Sequence, residues 1–290
     1  MFELNAVQDS GDFKEVFNYV SALNRVTAPD RRLPLSIPLL LEAHETLMQG
    51  VRGGYATPGE IRRSQNWIGP PGCTLSNATY VPPPIAHLWP SLDALEKYLY
   101  AADELPPLVR IGLLHYQFEA IHPLIDGNGR VGRLLIALLM LEWGLLPAPL
   151  LDISAWIEPR RDEYYERLLR VSTHGERSQW LEFFIVGVAS QAADAAARAQ
   201  RLHQLREKYR HQLVTTRASA MLPQLVDSLF TTPAMTIPHA RMLLDVTHRT
   251  ATLHVERLVT NGVLIELQSP KRTRLFIAQE IIDTAADTAH

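Results

Sequence analysis

Apolar residues recur at helical spacing through most of the chain. In Asp12–Leu23 (DFKEVFNYVSAL) an acidic residue opens a run whose apolar positions follow the 3.6-residue period, which predicts a helix. The run PLSIPLLLEAHETLMQG repeats the pattern and closes at Gly50, a plausible helix stop. SLDALEKYLYAAD and PPLVRIGLLHYQFEAI carry it on, with starts predicted at Ser91 and at the Pro106–Pro107 pair. RVGRLLIALLMLEWG is apolar on nearly every side, the pattern of a helix at the centre of a bundle. RRDEYYERLLRVS follows, and then a long helical stretch that turns from apolar to Ala/Arg/Gln-rich near Ala189. That change suits a long helix leaving the core and linking to another unit.

Two stretches depart from this texture. Asn66–Pro84 (NWIGPPGCTLSNATYVPPP) is rich in Pro, Gly, Ser and Asn and flanked by short β-formers, which predicts a hairpin-like loop. From about Pro223 the elements become short. Thr236 caps a helix starting at Ile237–Pro238. Thr247 caps HRTATLHVERLVTNG, whose Ala251, Leu253 and Leu258 are expected on one side and which stops at Asn261–Gly262. VLIEL, the turn QSPKR and TRLFIA then read as two strands around a basic tip. Helix, turn, helix and hairpin in this order is the order of a winged helix. The fold class expected is mainly α: a helical bundle with a β-hairpin flap, a long linking helix and a small winged-helix domain.

Composition changes this picture little. The 290 residues carry 47% hydrophobic and 20% charged side chains and a net charge of −3, ordinary values for a globular protein that does not advertise nucleic-acid binding over its whole surface. Cys73 is the single cysteine, which excludes an intramolecular disulfide and a Cys-based zinc site. No basic start followed by an apolar core opens the sequence, so no signal peptide is expected and the protein is read as cytoplasmic. The longest apolar run, Leu134 to Leu141, falls far short of the ~18 residues that span a bilayer.

The chemistry concentrates in His122–Arg133 (HPLIDGNGRVGR). Gly127, Asn128 and Gly129 precede the apolar helix, so backbone N–H groups lie free at its start and small residues let an anion approach them. Arg130 and Arg133 stand one turn apart, on one side. Cations at a helix start are unfavourable unless something anionic meets them, and arginines suit a polyphosphate. Asp126 is the one carboxylate in the loop, with Mg²⁺ as its natural partner beside phosphates. His122 is placed to take a proton from an incoming hydroxyl. Each residue alone has a bland reading, as a satisfied histidine, a turn or a solvated arginine; together within twelve positions they favour a site. Neither a P-loop nor HExxH occurs in the sequence.

These residues resemble the Fic family motif H-P-F-x-D-G-N-G-R-x-x-R, with Leu124 in the place of Phe and expected to pack inward. Arg62–Pro84 is similar to the family's target-docking flap, here centred on Ile68 and Gly69 and spanning about 66–82. YYERLLRVS is similar to the segment over the adenine, which puts Tyr164 and Tyr165 beside the base, with Ser172 where relatives often have Asn. The expected division is a Fic domain over 1–212 and a winged-helix-like domain over 213–290, the latter similar to the C-terminal module of a bacterial subgroup.

The resemblance implies transfer of AMP from ATP to a Ser, Thr or Tyr hydroxyl of a target protein, with self-modification. His122 would be the base, Asp126 the Mg²⁺ ligand, and Gly127, Asn128, Gly129, Arg130 and Arg133 the phosphate holders. Two other readings stay open: a DNA-binding regulator with a vestigial Fic fold, and a transferase using another nucleotide or a phosphocholine donor. The expected DNA contacts are Arg249, Lys271, Arg272 and Arg274; winged helices also bind proteins, and a homodimer is left open. No stretch matches the family's inhibitory [ST]-x-x-x-E-[GN] pattern, Ser154–Glu158 being followed by Pro159, so Arg133 is expected to be free to grip the γ-phosphate.

Overall fold

The computed structural model describes residues 11–51, 57–214, 221–267 and 274–286. They divide into two compact units, 1–191 and 192–290, with the division inside one continuous helix.

The first unit is helical. Its elements are α1 (Gly11–Val26), α2 (Ile37–Leu47), α3 (Ile85–Tyr100), α4 (Pro107–Ile121), α5 (Asn128–Glu142), the short α6 (Ser154–Ile157), α7 (Arg161–His174) and the first part of α8 (Arg177–Val214). α5 is the centre: Val131, Gly132 and every residue from Leu134 to Met140 are buried. α4 packs along it, and α1 pairs with α2. Trp180 of α8 is 1% exposed and its indole N–H donates to Gly112 O (2.9 Å), which ties α8 to α4 through a polar tip inside an apolar layer.

Local signals explain most boundaries. Ser36 caps α2 by accepting from Leu39 N, and Pro106 precedes α4 with Pro107 in its first turn. The start predicted at Ser91 is wrong. α3 begins at Ile85 and continues through Pro90. The missing N–H costs one helical bond on the exposed side, and the buried stripe Leu88, Leu92, Leu95 and Leu99 offsets it. The hairpin expected at Asn66–Pro84 is, among the described residues, a single antiparallel bridge between Ile68 and Tyr80 with a 3₁₀ turn at Leu75–Asn77. Prolines at 70, 71, 82, 83 and 84 lack the N–H groups a ladder needs.

In the second unit, the last part of α8 contributes Leu205, Tyr209 and Leu213 to a core with α9 (Met221–Leu229), α10 (Ile237–Leu244), α11 (His248–Thr260) and α12 (Gln279–Ala286). A three-stranded antiparallel sheet of β1 (Ala234–Thr236), β2 (Ile265–Leu267) and β3 (Leu275–Ile277) has the order β1-β3-β2, with Met235 and Glu266 both opposite Phe276. Thr236 and Thr247 accept from His239 N and Thr250 N, as N-caps of α10 and α11. The expected face of α11 needs correction: Ala251, His254, Val255 and Leu258 are buried, whereas Leu253 is 57% exposed. Residues two apart on a helix do not share a face; those three, four and seven apart do. No described helix is long and apolar enough to cross a membrane.

Trp180→Phe removes the bond to Gly112 O and leaves a small void. The expected loss is about 2–4 kcal/mol of stability, read as a lower urea midpoint in circular dichroism; an unchanged midpoint would show that α8 is not held this way.

Candidate active site

The turn from α4 to α5 builds the site. His122 ends α4 in a left-handed conformation (φ 48, ψ 60), and Gly127 (φ 82) enters α5 in another. Asn128 is buried and clips the loop: Leu124 N donates to its Oδ1 (2.9 Å) and its Nδ2 donates to Leu124 O (2.9 Å). Its side chain is therefore spent internally, and only its backbone N–H is left for an anion. Leu124 packs inward, 1% exposed.

No side chain caps α5, and Val131 N is the first to bond back, to Gly127 O (3.0 Å). The N–H groups of Asn128, Gly129 and Arg130 thus stand ahead of the first helical bond, in an electropositive position. Above them Arg130 Nη1 and Arg133 Nε are buried without a hydrogen-bond partner. Buried guanidinium donors are normally satisfied; two unsatisfied ones beside an uncapped helix start fit an anion with several oxygens.

Asp126 is half-exposed; its Oδ1 accepts from Gly127 N (2.6 Å) and lies 4.0 Å from Arg130 Nη2. A lone carboxylate at a phosphate cradle fits Mg²⁺, which takes one or two carboxylates and fills its shell with phosphate oxygens and water. No group of three or more metal-type side chains exists among the described residues, so a cage made of protein ligands alone is not what this loop offers.

His122 Nδ1 faces Glu119 O (3.3 Å). A carbonyl only accepts, so the neutral ring carries its proton on Nδ1 and leaves Nε2 as the basic nitrogen. Burial pushes the imidazole down to about 4 against the upward pull of the hydrogen bond to Glu119 O, and the smaller effects of the Arg62 charge (down) and the Asp126 charge (up) oppose each other. At neutral pH His122 is an uncharged base.

Two adjoining cavities share His122, Gly129, Arg133, Tyr164 and Tyr165. One, of about 240 Å³, surrounds Asp126–Arg130. The other, of about 360 Å³, runs under the flap between Trp67, Ile68, Gly69 and Tyr80 on one side and Tyr116, Leu168, Leu169 and Ser172 on the other. A ligand with a polyanionic head and a flat, largely apolar tail matches this pair. Tyr165 is exposed; Tyr164 is 3% exposed, and its hydroxyl bonds His115 Nε2 (2.9 Å) in a cluster with Trp180 and Phe183. Both rings line the cavities, but Tyr164 does so as part of the core.

Several residues of the site carry no motif signal. His44 Nδ1 accepts from Gly59 N (3.0 Å) and its Nε2 donates to Asp126 O (3.1 Å), so α2 holds the loop from behind. Tyr80 donates to Ala120 O (2.9 Å), and Tyr116 and Ser172 share a hydrogen bond (3.0 Å) at the far end of the larger cavity. Glu119 lines the larger cavity with Arg133. It is buried, its Oε1 has no partner, and burial raises its carboxyl to about 7 while the Arg133 charge pulls it down. It sits one turn before His122 on α4, a spacing that places both on the cavity side.

Of the expected nucleic-acid contacts, Arg249 is exposed in the first turn of α11. Arg274 forks onto Glu266 (2.7 and 2.8 Å) and reaches Glu256 (3.3 Å). Lys271 and Arg272 lie outside the described residues.

Residues 34–140 match the model of the Fic/DOC family. The chain is similar to Protein adenylyltransferase Fic of Drosophila yakuba, 28% identical over 158 residues that make up 53% of this chain and 28% of that protein. The Drosophila melanogaster protein of the same description is 27% identical over the same span. The chain therefore covers little more than a quarter of the length of these curated relatives. Among solved structures, a Fic family protein from Desulfovibrio desulfuricans G20 superposes with a TM-score of 0.55 at 21% identity, over 92% of this chain and 75% of that one, a likeness of fold.

Arg133→Ala should weaken binding of inorganic tripolyphosphate by about 10- to 150-fold, the worth of a charge-assisted hydrogen bond. Titration calorimetry checks this, and equal affinities in the two proteins would remove Arg133 from the cradle.

Proposed function

We propose that the protein transfers the AMP group of ATP to a Ser, Thr or Tyr hydroxyl of a target protein, releasing pyrophosphate. The observation that carries this reading is the pair of buried guanidinium donors without an acceptor, Arg130 Nη1 and Arg133 Nε, at the uncapped start of α5 beside the free Nε2 of an uncharged His122. The Drosophila relatives are described as protein adenylyltransferases, which supports the same chemistry.

The polyphosphate lies against the amides of Asn128, Gly129 and Arg130, with Arg130 and Arg133 on its oxygens. The nucleoside occupies the larger cavity, between the flap and α7. A target segment pairs by its backbone with the flap at Ile68 and Gly69, which brings its hydroxyl to His122. The hydroxyl oxygen bonds to the α-phosphorus, the bond from that phosphorus to the β-phosphate oxygen breaks, and the hydroxyl proton passes to His122 Nε2. Mg²⁺ held by Asp126 would neutralise charge on the leaving pyrophosphate. Catalysis is then mainly positioning and charge stabilisation.

His122→Ala should abolish transfer of label from ATP while ATP still binds; transfer above a few per cent of the wild-type rate, read by autoradiography, would end the base role. The same site gives a sign for pH. Because burial favours the neutral imidazole, activity needs no deprotonation near pH 6.5 and should fall only as pH approaches about 4. A half-maximal rate near pH 6.5 would contradict it.

The second unit is proposed as a winged helix, with α10 and α11 as its two helices and β2 and β3 as the wing. Its Arg249 is exposed on α11, whereas Arg274 is held by glutamates. DNA binding through this unit would therefore rest on Arg249 and the 271–272 tip. It predicts gel-shift retardation that weakens steeply with salt and falls in Arg249→Ala; no shift at low salt would assign the unit to protein contacts.

A further inference from the structure

Arg62 is 2% exposed, one of the largest fully buried side chains of the protein. It forms no ion pair among the described residues, and its guanidinium bonds only to backbone carbonyls. Nε donates to His122 O (3.0 Å), Nη1 to Ser64 O (3.2 Å) and Nη2 to Pro83 O (2.5 Å). Its own N–H donates to Pro123 O (2.9 Å). A buried cation without a counter-charge is costly and needs full hydrogen bonding to persist. Here the three acceptors lie on three segments: the chain entering the flap, the chain leaving it, and the residue that ends α4. Asn66, also on the flap, donates to His122 O (3.4 Å) and Leu124 O (3.0 Å).

The acceptor that matters is His122 O. His122 has a left-handed backbone at a residue other than glycine, which holds only where the surroundings over-determine it. The carbonyl of His122 is the part of that backbone which Arg62 and Asn66 grip. The same backbone torsions orient that carbonyl and the Cα–Cβ bond, so a group that fixes the carbonyl also fixes the direction in which the His122 side chain leaves the chain.

We propose that Arg62 is a positioning residue that couples the flap to the base. One guanidinium registers the two ends of the flap, where a target segment would dock, and the backbone of His122, which would take the proton of that segment's hydroxyl. This rests on the adenylyl-transfer reading of the site. Geometry demands arginine: a planar fork reaches three carbonyls in three directions, and a lysine ammonium at that place keeps the charge without the fork.

The test uses Arg62→Lys and Asn66→Ala in the full chain. In Arg62→Lys, ATP affinity by calorimetry should stay within about threefold while kcat of transfer falls by about tenfold or more, the pattern of lost alignment rather than lost binding. Asn66→Ala should change kcat in the same direction. The double variant should lose less than the product of the two single losses, because both residues act on one carbonyl. Wild-type kcat in Arg62→Lys overturns the proposal. So do losses of ATP affinity and thermal stability in step with kcat, which mean general support of the fold.

A second readout needs no turnover. In protein labelled with ¹³C-histidine and assigned with His122→Gln, the His122 carbonyl and Cα shifts report its left-handed backbone. They should move in Arg62→Lys, and unmoved shifts overturn the proposal whatever the activity. A wild-type protein that binds ATP but labels no hydroxyl overturns the transfer reading alone.

Discussion

Between Ile121 and Asn128 the chain must reverse direction, leave the start of α5 uncapped, and still hold its shape. Two left-handed residues make the reversal, His122 at one end and Gly127 at the other. For His122 that conformation costs about 1–3 kcal/mol. For Gly127 it is nearly free, but the position is closed to other residues: a Cβ there would lie 3.0 Å from Met48 Sδ and 3.2 Å from His44. The strain is held by clamps from four directions. Asn128 closes on Leu124, His44 on Asp126 O, and Arg62 and Asn66 on His122 O. None of these clamps uses the amides at the start of α5. The loop is clamped without being capped, a combination that suits the anion cradle proposed here.

Desolvation then decides the protonation of the site. His122 sits near Asp126, which by itself favours the imidazolium, yet burial dominates and the ring stays neutral. The same burial raises Glu119, against the pull of Arg133. At neutral pH the cavity thus holds an uncharged base and a carboxyl near the midpoint of its titration, beside Arg130 and Arg133. A polyanion entering such a site would meet two guanidinium donors, Arg130 Nη1 and Arg133 Nε, that have no acceptor. Had His122 been charged, it would compete as one more phosphate ligand and have no lone pair for a proton.

The motif could be read from sequence because its chemistry is contiguous: base, carboxylate, small residues and arginines lie within twelve positions, and the helix start is local. The helices were legible for the same reason. What sequence missed is long-range. Nothing near Arg62 marks it as the partner of a carbonyl sixty positions away, and His44 reaches Asp126 across a gap of 82. Ser91 misled because a good cap residue lies inside α3 when an apolar stripe already begins upstream. Leu253 misled because apolar character was counted without the angle around the helix. The flap was recognised as a break in helical texture, but its prolines, plain in the sequence, limit its pairing to one bridge.

The arginines of the two units separate binding from stability. In the second unit Arg206 and Arg210 converge on Asp227, and Arg274 is held by Glu266 and Glu256. These pairs neutralise the arginines locally, so they add little positive field to that surface. In the first unit Arg130 and Arg133 retain buried donors with no acceptor, and Arg62 is satisfied only by carbonyls. A cation that the fold leaves incomplete is destabilising until a ligand completes it. Those two donors give folding no hydrogen bond, although Arg130 Nη2 also lies 4.0 Å from Asp126 Oδ1. In the proposed reading a bound anion supplies the missing acceptors, and the energy withheld from folding becomes available to binding.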